Sequence, residues 1–130
     1  MITLAEYVNG HMTEHEEEWT PSVEVSAKVL IERVNTLLVS IQWEHPVVLT
    51  SGWRPRAHNA KIGGSSHSYH IFGKALDIAD PEQILASRIM LHHPLLHTLQ
   101  LWMESPAAAR TWVHLDTGDR QERAIRIFNP

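Results

Sequence analysis

Apolar residues fall into a regular rhythm after Thr20-Pro21. Val23, Ala27, Leu30, Val34, Leu37, Leu38 and Ile41 recur at three- and four-residue intervals, the period of one helix face. Thr20 suits the N-cap and Pro21 the first helical position, so the pattern predicts an amphipathic, structural helix over 21–42. Behind Pro46 the rhythm changes to a short β-branched run, Val47-Val48-Leu49-Thr50, which predicts a strand. Periodicity then dissolves from Ser51 to Ser66 into Gly, Pro, Arg, Asn and Ser. A loop of that length in a small chain tends to carry function. Lys74 to Ile78 predicts a second strand. Asp80-Pro81-Glu82-Gln83 predicts a helix start with Asp80 as cap and Gln83 closing a capping box, the helix running to about His97. Three more strands are expected over 99–103, 111–116 and 124–128. Helices flanking a small antiparallel sheet make an α+β fold.

The chain has 130 residues, enough for a single domain over 1–130 with one hydrophobic core. Its net charge of −4 argues against nucleic acid as a partner. No apolar run is long enough to span a membrane, and a monomer is the default. The first residues lack the basic and apolar regions of a signal peptide. With no cysteine, disulfides, thiolate metal sites and Cys nucleophiles are excluded. The acidic run from Glu14 to Glu18 reads as a solvated face or loop. Ten histidines are a heavy load, and the question is which of them stand at spacings that chemistry needs.

Two stretches stand out. In Ser68-Tyr69-His70-Ile71-Phe72-Gly73-Lys74-Ala75-Leu76-Asp77, His70 ends the loop and Asp77 sits in the next strand, with Gly73 letting the backbone turn between them. Zinc takes imidazole nitrogen and carboxylate oxygen, and a catalytic site supplies three such ligands. A third is offered by Trp112-Val113-His114-Leu115-Asp116. Strand alternation puts Trp112, His114 and Asp116 on one face, with Val113 and Leu115 turned to the core.

The string SxHxxGxAxD with a later WxH strand resembles the zinc D-alanyl-D-alanine carboxypeptidases, of the superfamily that includes lysostaphin-type enzymes and the hedgehog domain. Ser51-Gly52-Trp53-Arg54, Asn59, Gly63 and Gly64 are similar to the family's SGxR…N…GG segment. The ending Arg126-Ile127-Phe128-Asn129-Pro130 resembles small phage and prophage members. The resemblance implies a hedgehog/DD-peptidase-like fold with Zn2+ held by His70, Asp77 and His114. It further implies that Arg54 binds or polarises the substrate, that Ser68 contacts substrate or supports a zinc ligand, and that the reaction is hydrolysis near D-alanine in peptidoglycan stem peptides. It leaves open a carboxypeptidase or an endolysin-type endopeptidase, either released from the cytoplasm as phage enzymes are or borne on a virion.

The general base departs from the pattern. Many relatives carry a carboxylate three residues before the last histidine, where this chain has Thr111. Glu104 and Asp116 compete for the role; Asp116 shares the face of His114 but lies about 7 Å along the strand at ~3.3 Å per residue. The alternative to an enzyme is a zinc-stabilised binding or virion module that turns nothing over. Blander readings stand beside these. Arg54 could form a structural ion pair, and His67 could support a ligand from behind or stand exposed. His92, His93 and His97 could complement a helix C-terminus. Trp53 and Trp112 could line the cleft or pack in the core, while Trp19, Trp43 and Trp102 read as core.

Overall fold

A computed structural model describes all 130 residues. Two short helices, α1 (Leu4–Val8) and α2 (His11–Glu14), precede a 3-10 turn at Glu16–Glu18 and the long helix α3 (Pro21–Ser40). The Thr20 hydroxyl accepts the Val23 N–H at 3.3 Å, so the sequence-predicted cap forms. Leu30, Val34 and Leu37 on the inner face of α3 are fully buried. Each such side chain contributes on the order of 1.5–3 kcal/mol by leaving water, which fixes α3 across the sheet.

Five strands follow: β1 (Leu49–Ser51), β2 (Ala75–Ala79), β3 (Trp102–Glu104), β4 (Trp112–Asp116) and β5 (Ile127–Phe128). Their order is β1-β2-β4-β3-β5. All pairs are antiparallel except β3 with β5, which is parallel. The exception follows from the route of the chain. After β4 it passes over β3 and returns opposite in direction to β4, hence along β3.

Three local expectations change. The loop over 51–66 contains a short helix, α4 (Arg56–Lys61), begun directly after Pro55. Part of the acidic run is the 3-10 turn, with the Glu18 carboxylate accepting the Arg56 N–H at 2.9 Å. The helix expected from Asp80 to His97 is two, α5 (Ile84–Leu91) and α6 (Pro94–Leu99). Pro94 has no N–H to continue α5 and instead opens α6. Asp80 does cap, but one turn later than expected: its carboxylate accepts the N–H groups of Leu85 (3.0 Å) and Ala86 (2.8 Å). Gln83 takes a left-handed φ of 57° and donates its side-chain amide to Pro106 O, so it closes no capping box.

The sheet has two unlike faces. Leu76, Ile78, Met103, Val113 and Leu115 point to one side and join α3, α5 and α6 in the core cluster. Asp77, His114, Asp116 and Glu104 alternate with them onto the other side.

Candidate metal centre

The register of β2 against β4 sets Asp77 directly opposite His114. Residues opposite one another in an antiparallel pair share a face, so the two side chains meet. The Asp77 Oδ1 lies 2.8 Å from His114 Nδ1. His70 arrives from the turn before β2: Gly73, at φ 73°, reverses the chain there. That turn sets His70 Nε2 3.4 Å from Asp77 Oδ2. The two imidazoles face each other edge to face at 5.4 Å between centroids. One ligating atom from each of the three residues lies within 4.8 Å of the others.

The far nitrogen of each ring is also engaged. His70 Nδ1 is 2.8 Å from the Gly52 carbonyl, which can only accept, so Nδ1 donates there and Nε2 is the nitrogen turned to Asp77. Gly52 packs tightly against α1 because it has no side chain; a Cβ there would collide with the Tyr7 carbonyl. His114 Nε2 is 2.8 Å from Asp116 Oδ2. Imidazoles whose outer nitrogen is fixed by a carbonyl or a carboxylate have the outer shell usual for metal-binding histidines. Two imidazole nitrogens and a carboxylate converging in this way are a donor set suited to zinc.

The charges are strongly coupled. Burial alone would lower the basicity of His114, but its bonds to Asp116 and Asp77 outweigh burial and push its pKa up to about 9. Burial would raise Asp77, yet hydrogen bonds from His114 and His70 hold it well below the usual carboxylate range. Asp116 is also lowered: burial opposes this, and the bonds from His114 and Arg120 prevail. Without a metal, the centre is therefore an imidazolium held between two carboxylates. A bound cation must replace the proton on His114 Nδ1.

The remaining expected residues divide. Arg54 is pinned, with Nε donating to Ser51 Oγ at 2.8 Å and longer 3.4 Å bonds to Asn59 and to Asp77 Oδ2. Burial lowers its pKa, while Asp77 partly offsets this. The ion-pair reading of Arg54 is thus present in the structure, and its side chain is still 17% exposed beside the centre. Ser68 accepts the His70 N–H at 3.3 Å. It shares an open groove of about 430 Å³ with His67, Tyr69, Glu104, His114 and Arg120. Continuing the β3–β4 register one residue past Met103–Leu115 sets Glu104 across from His114. Burial pushes the Glu104 carboxyl up; His114 and Arg120 pull it back, and nearby Asp77 and Asp116 add to the rise.

Asp116 is fully buried, and its oxygens are taken by His114, the Gly118 N–H at 3.0 Å and Arg120. It stands behind the imidazole and does not line the groove. Trp53 is a core residue, donating its indole N–H to Ile71 O at 3.0 Å, and Trp102 is buried as expected. Two contributors had no role assigned from sequence. Asn59 was visible within the SGxR…N…GG segment; its amide donates to Ser65 O at 2.7 Å and its oxygen accepts from Arg54, tying the arginine to the loop. Arg120 follows Asp116 in an irregular segment and had no spacing signal at all.

A family model for peptidase M15 matches residues 5–116, a span that contains His70, Asp77, His114 and Asp116. No curated protein matches the chain.

Proposed function

The chain belongs to the peptidase M15 family of zinc metallopeptidases, and from that premise we propose that it hydrolyses peptide bonds near D-alanine in peptidoglycan stem peptides. His70 Nε2, the Asp77 carboxylate and His114 Nδ1 are its zinc ligands in this reading. The observation that carries it is the convergence of these three groups within 4.8 Å, with both outer imidazole nitrogens already fixed.

When bound, zinc supplies Lewis-acid polarisation of the scissile carbonyl and makes an attacking water more acidic. Glu104 is the general base. Its carboxylate takes a proton from the attacking water and delivers it to the leaving amine nitrogen. Burial raises the Glu104 carboxyl, which makes it a better proton acceptor than a fully solvated glutamate. Asp116 we assign to orientation: it keeps the proton of His114 on Nε2 and so leaves Nδ1 for the metal. Arg54 presents its partly exposed guanidinium to the substrate's carbonyl or carboxylate while its other contacts hold Asp77 in place. Ser68 lies along the groove and steadies the backbone of His70. Release to the cell wall after phage-type lysis accords with the ending that resembles small phage members.

Digestion of purified peptidoglycan, with and without zinc, tests the reading when products are identified by mass. Wild type should release muropeptides, and both His114→Ala and Glu104→Ala should not, with zinc retained only by Glu104→Ala. Stoichiometric zinc in the wild type without cleavage of any muropeptide would replace the enzyme with a metal-stabilised binding module.

A further inference from the structure

Past the family-matched residues, the chain from Thr117 onward folds back over the metal centre. Arg120 lies at the heart of this return. Its Nη2 donates to Asp116 Oδ2 at 2.8 Å and its Nε reaches Asp116 Oδ1 at 3.4 Å, a two-pronged grip on one carboxylate. The same Asp116 Oδ2 receives His114 Nε2 at 2.8 Å. The guanidinium is itself held between two rings, 3.5 Å from the centroid of Phe128 and 5.1 Å from that of Tyr69. Phe128 in turn meets the His114 ring edge to face at 5.7 Å. Tyr69 is anchored to the same segment, its hydroxyl donating to Asp119 O at 3.1 Å.

We infer that Arg120 is a positioning residue for the metal centre: through Asp116 it fixes the tautomer and ring plane of His114. This rests on the zinc reading of His70, Asp77 and His114 given above. The physical case is one of leftover freedom. A carboxylate behind a metal-binding imidazole can swing about its side-chain torsions, and each swing turns the ring with it. Asp116 Oδ1 is tied to the Gly118 N–H at 3.0 Å, but Oδ2, the oxygen that faces the imidazole, is held from the protein side only by Arg120. A planar fork clamped between aromatic faces fixes direction where an ammonium would fix only distance. Because Asp116 is fully buried, removing its cation also leaves a buried charge less compensated. The tail is thus an integral wall of the centre, although it lies beyond the residues that the family model matches.

Zinc affinity, measured by competition with a chromophoric chelator, tests the inference on wild type, Arg120→Met, Asp116→Asn and the double variant. Arg120→Met should weaken zinc binding about ten- to a hundredfold, the usual scale for loss of an outer-shell partner. Cobalt(II) in place of zinc should show an altered ligand-field spectrum in the same variant. The double variant should bind no more weakly than the weaker single, because both changes cut one relay. Arg120→Lys, which keeps the charge and the stem over Phe128, should fall between wild type and Arg120→Met; it is also the variant to use should Arg120→Met not fold. Wild-type affinity in Arg120→Lys and Arg120→Met, or losses that multiply in the double variant, would overturn the inference and leave the peptidase reading intact. Zinc bound by wild type and weakened by Arg120→Met, with no peptide cleaved, would instead sink only the peptidase reading. A wild type that takes no zinc would remove both.

Discussion

The two faces of the sheet are made by the same five strands and obey different rules. On one, Leu76, Ile78, Val113, Leu115 and Met103 are almost wholly buried and alike in kind; apolar side chains of similar volume would be tolerated there at modest cost. On the other, Asp77 and Asp116 are also buried and His114 is half-buried, but each is defined by its partner. The core face gains from leaving water. The site face loses by it, and recovers the loss only through charge-assisted bonds at 2.8 Å. Strand alternation lets one residue step separate the two regimes, so stability and chemistry are coded in adjacent positions without competing for them.

Substitutions on the two faces should therefore fail in different ways. His114→Ala should abolish both stoichiometric zinc and peptide hydrolysis, read by metal analysis and by product mass, while the chain still folds around an intact core. Zinc retained at wild-type affinity would show that the three-residue centre is not the metal site. Glu104→Gln keeps size and hydrogen bonding but cannot take a proton. It should keep zinc and lower kcat by about a hundred- to ten-thousandfold; a kcat within a few fold of wild type would return the base to another group. On the opposite face, Leu115→Ala should cost about 2–5 kcal/mol in urea-induced unfolding. Its zinc affinity should be unchanged in the folded protein, and a loss of metal there would mean the faces are not separable.

Legibility followed the same division. The core face could be read because period-two and period-3.6 patterns are local: α3 is foretold by seven apolar positions and one cap, and β4 by Val113 and Leu115. The fold class was legible in the order of expected helices and strands, and the family in the resemblance carried by Ser68 to Asp77 and the WxH strand. What escaped was geometry set by non-local contacts. The parallel pairing of β5 depends on the route over β3, which no local pattern records. The break between α5 and α6 was signalled by Pro94, but the strong cap signal at Asp80 and continuous apolar content drew a single helix across it. Asp116 looked like a candidate base from alternation alone. Its burial, and the clamp of Arg120 behind it, exist only once the tail has folded back.

The smallest effect expected is also the one that separates the metal-free centre from the loaded one. In the metal-free protein His114 has a pKa of about 9, raised from 6.5. A raised group adds stability that is fully present below its unfolded value and is lost as pH climbs through the folded value. Asp77 and Asp116 are lowered, so their contribution is present above the ordinary carboxylate range and is lost on acidification. The metal-free site should thus stabilise the fold most between these limits, in mildly acidic solution, and progressively less from about pH 6.5 to about pH 9. Zinc reverses the dependence, because it must displace the proton from His114 Nδ1 and so binds more tightly as that proton becomes easier to remove. The rise in Tm on adding zinc should accordingly be larger at about pH 8.5 than at about pH 6, by a few degrees. A zinc-induced shift equal at both values would mean that metal binding releases no proton here, and that the imidazolium between two carboxylates is not the state the metal finds.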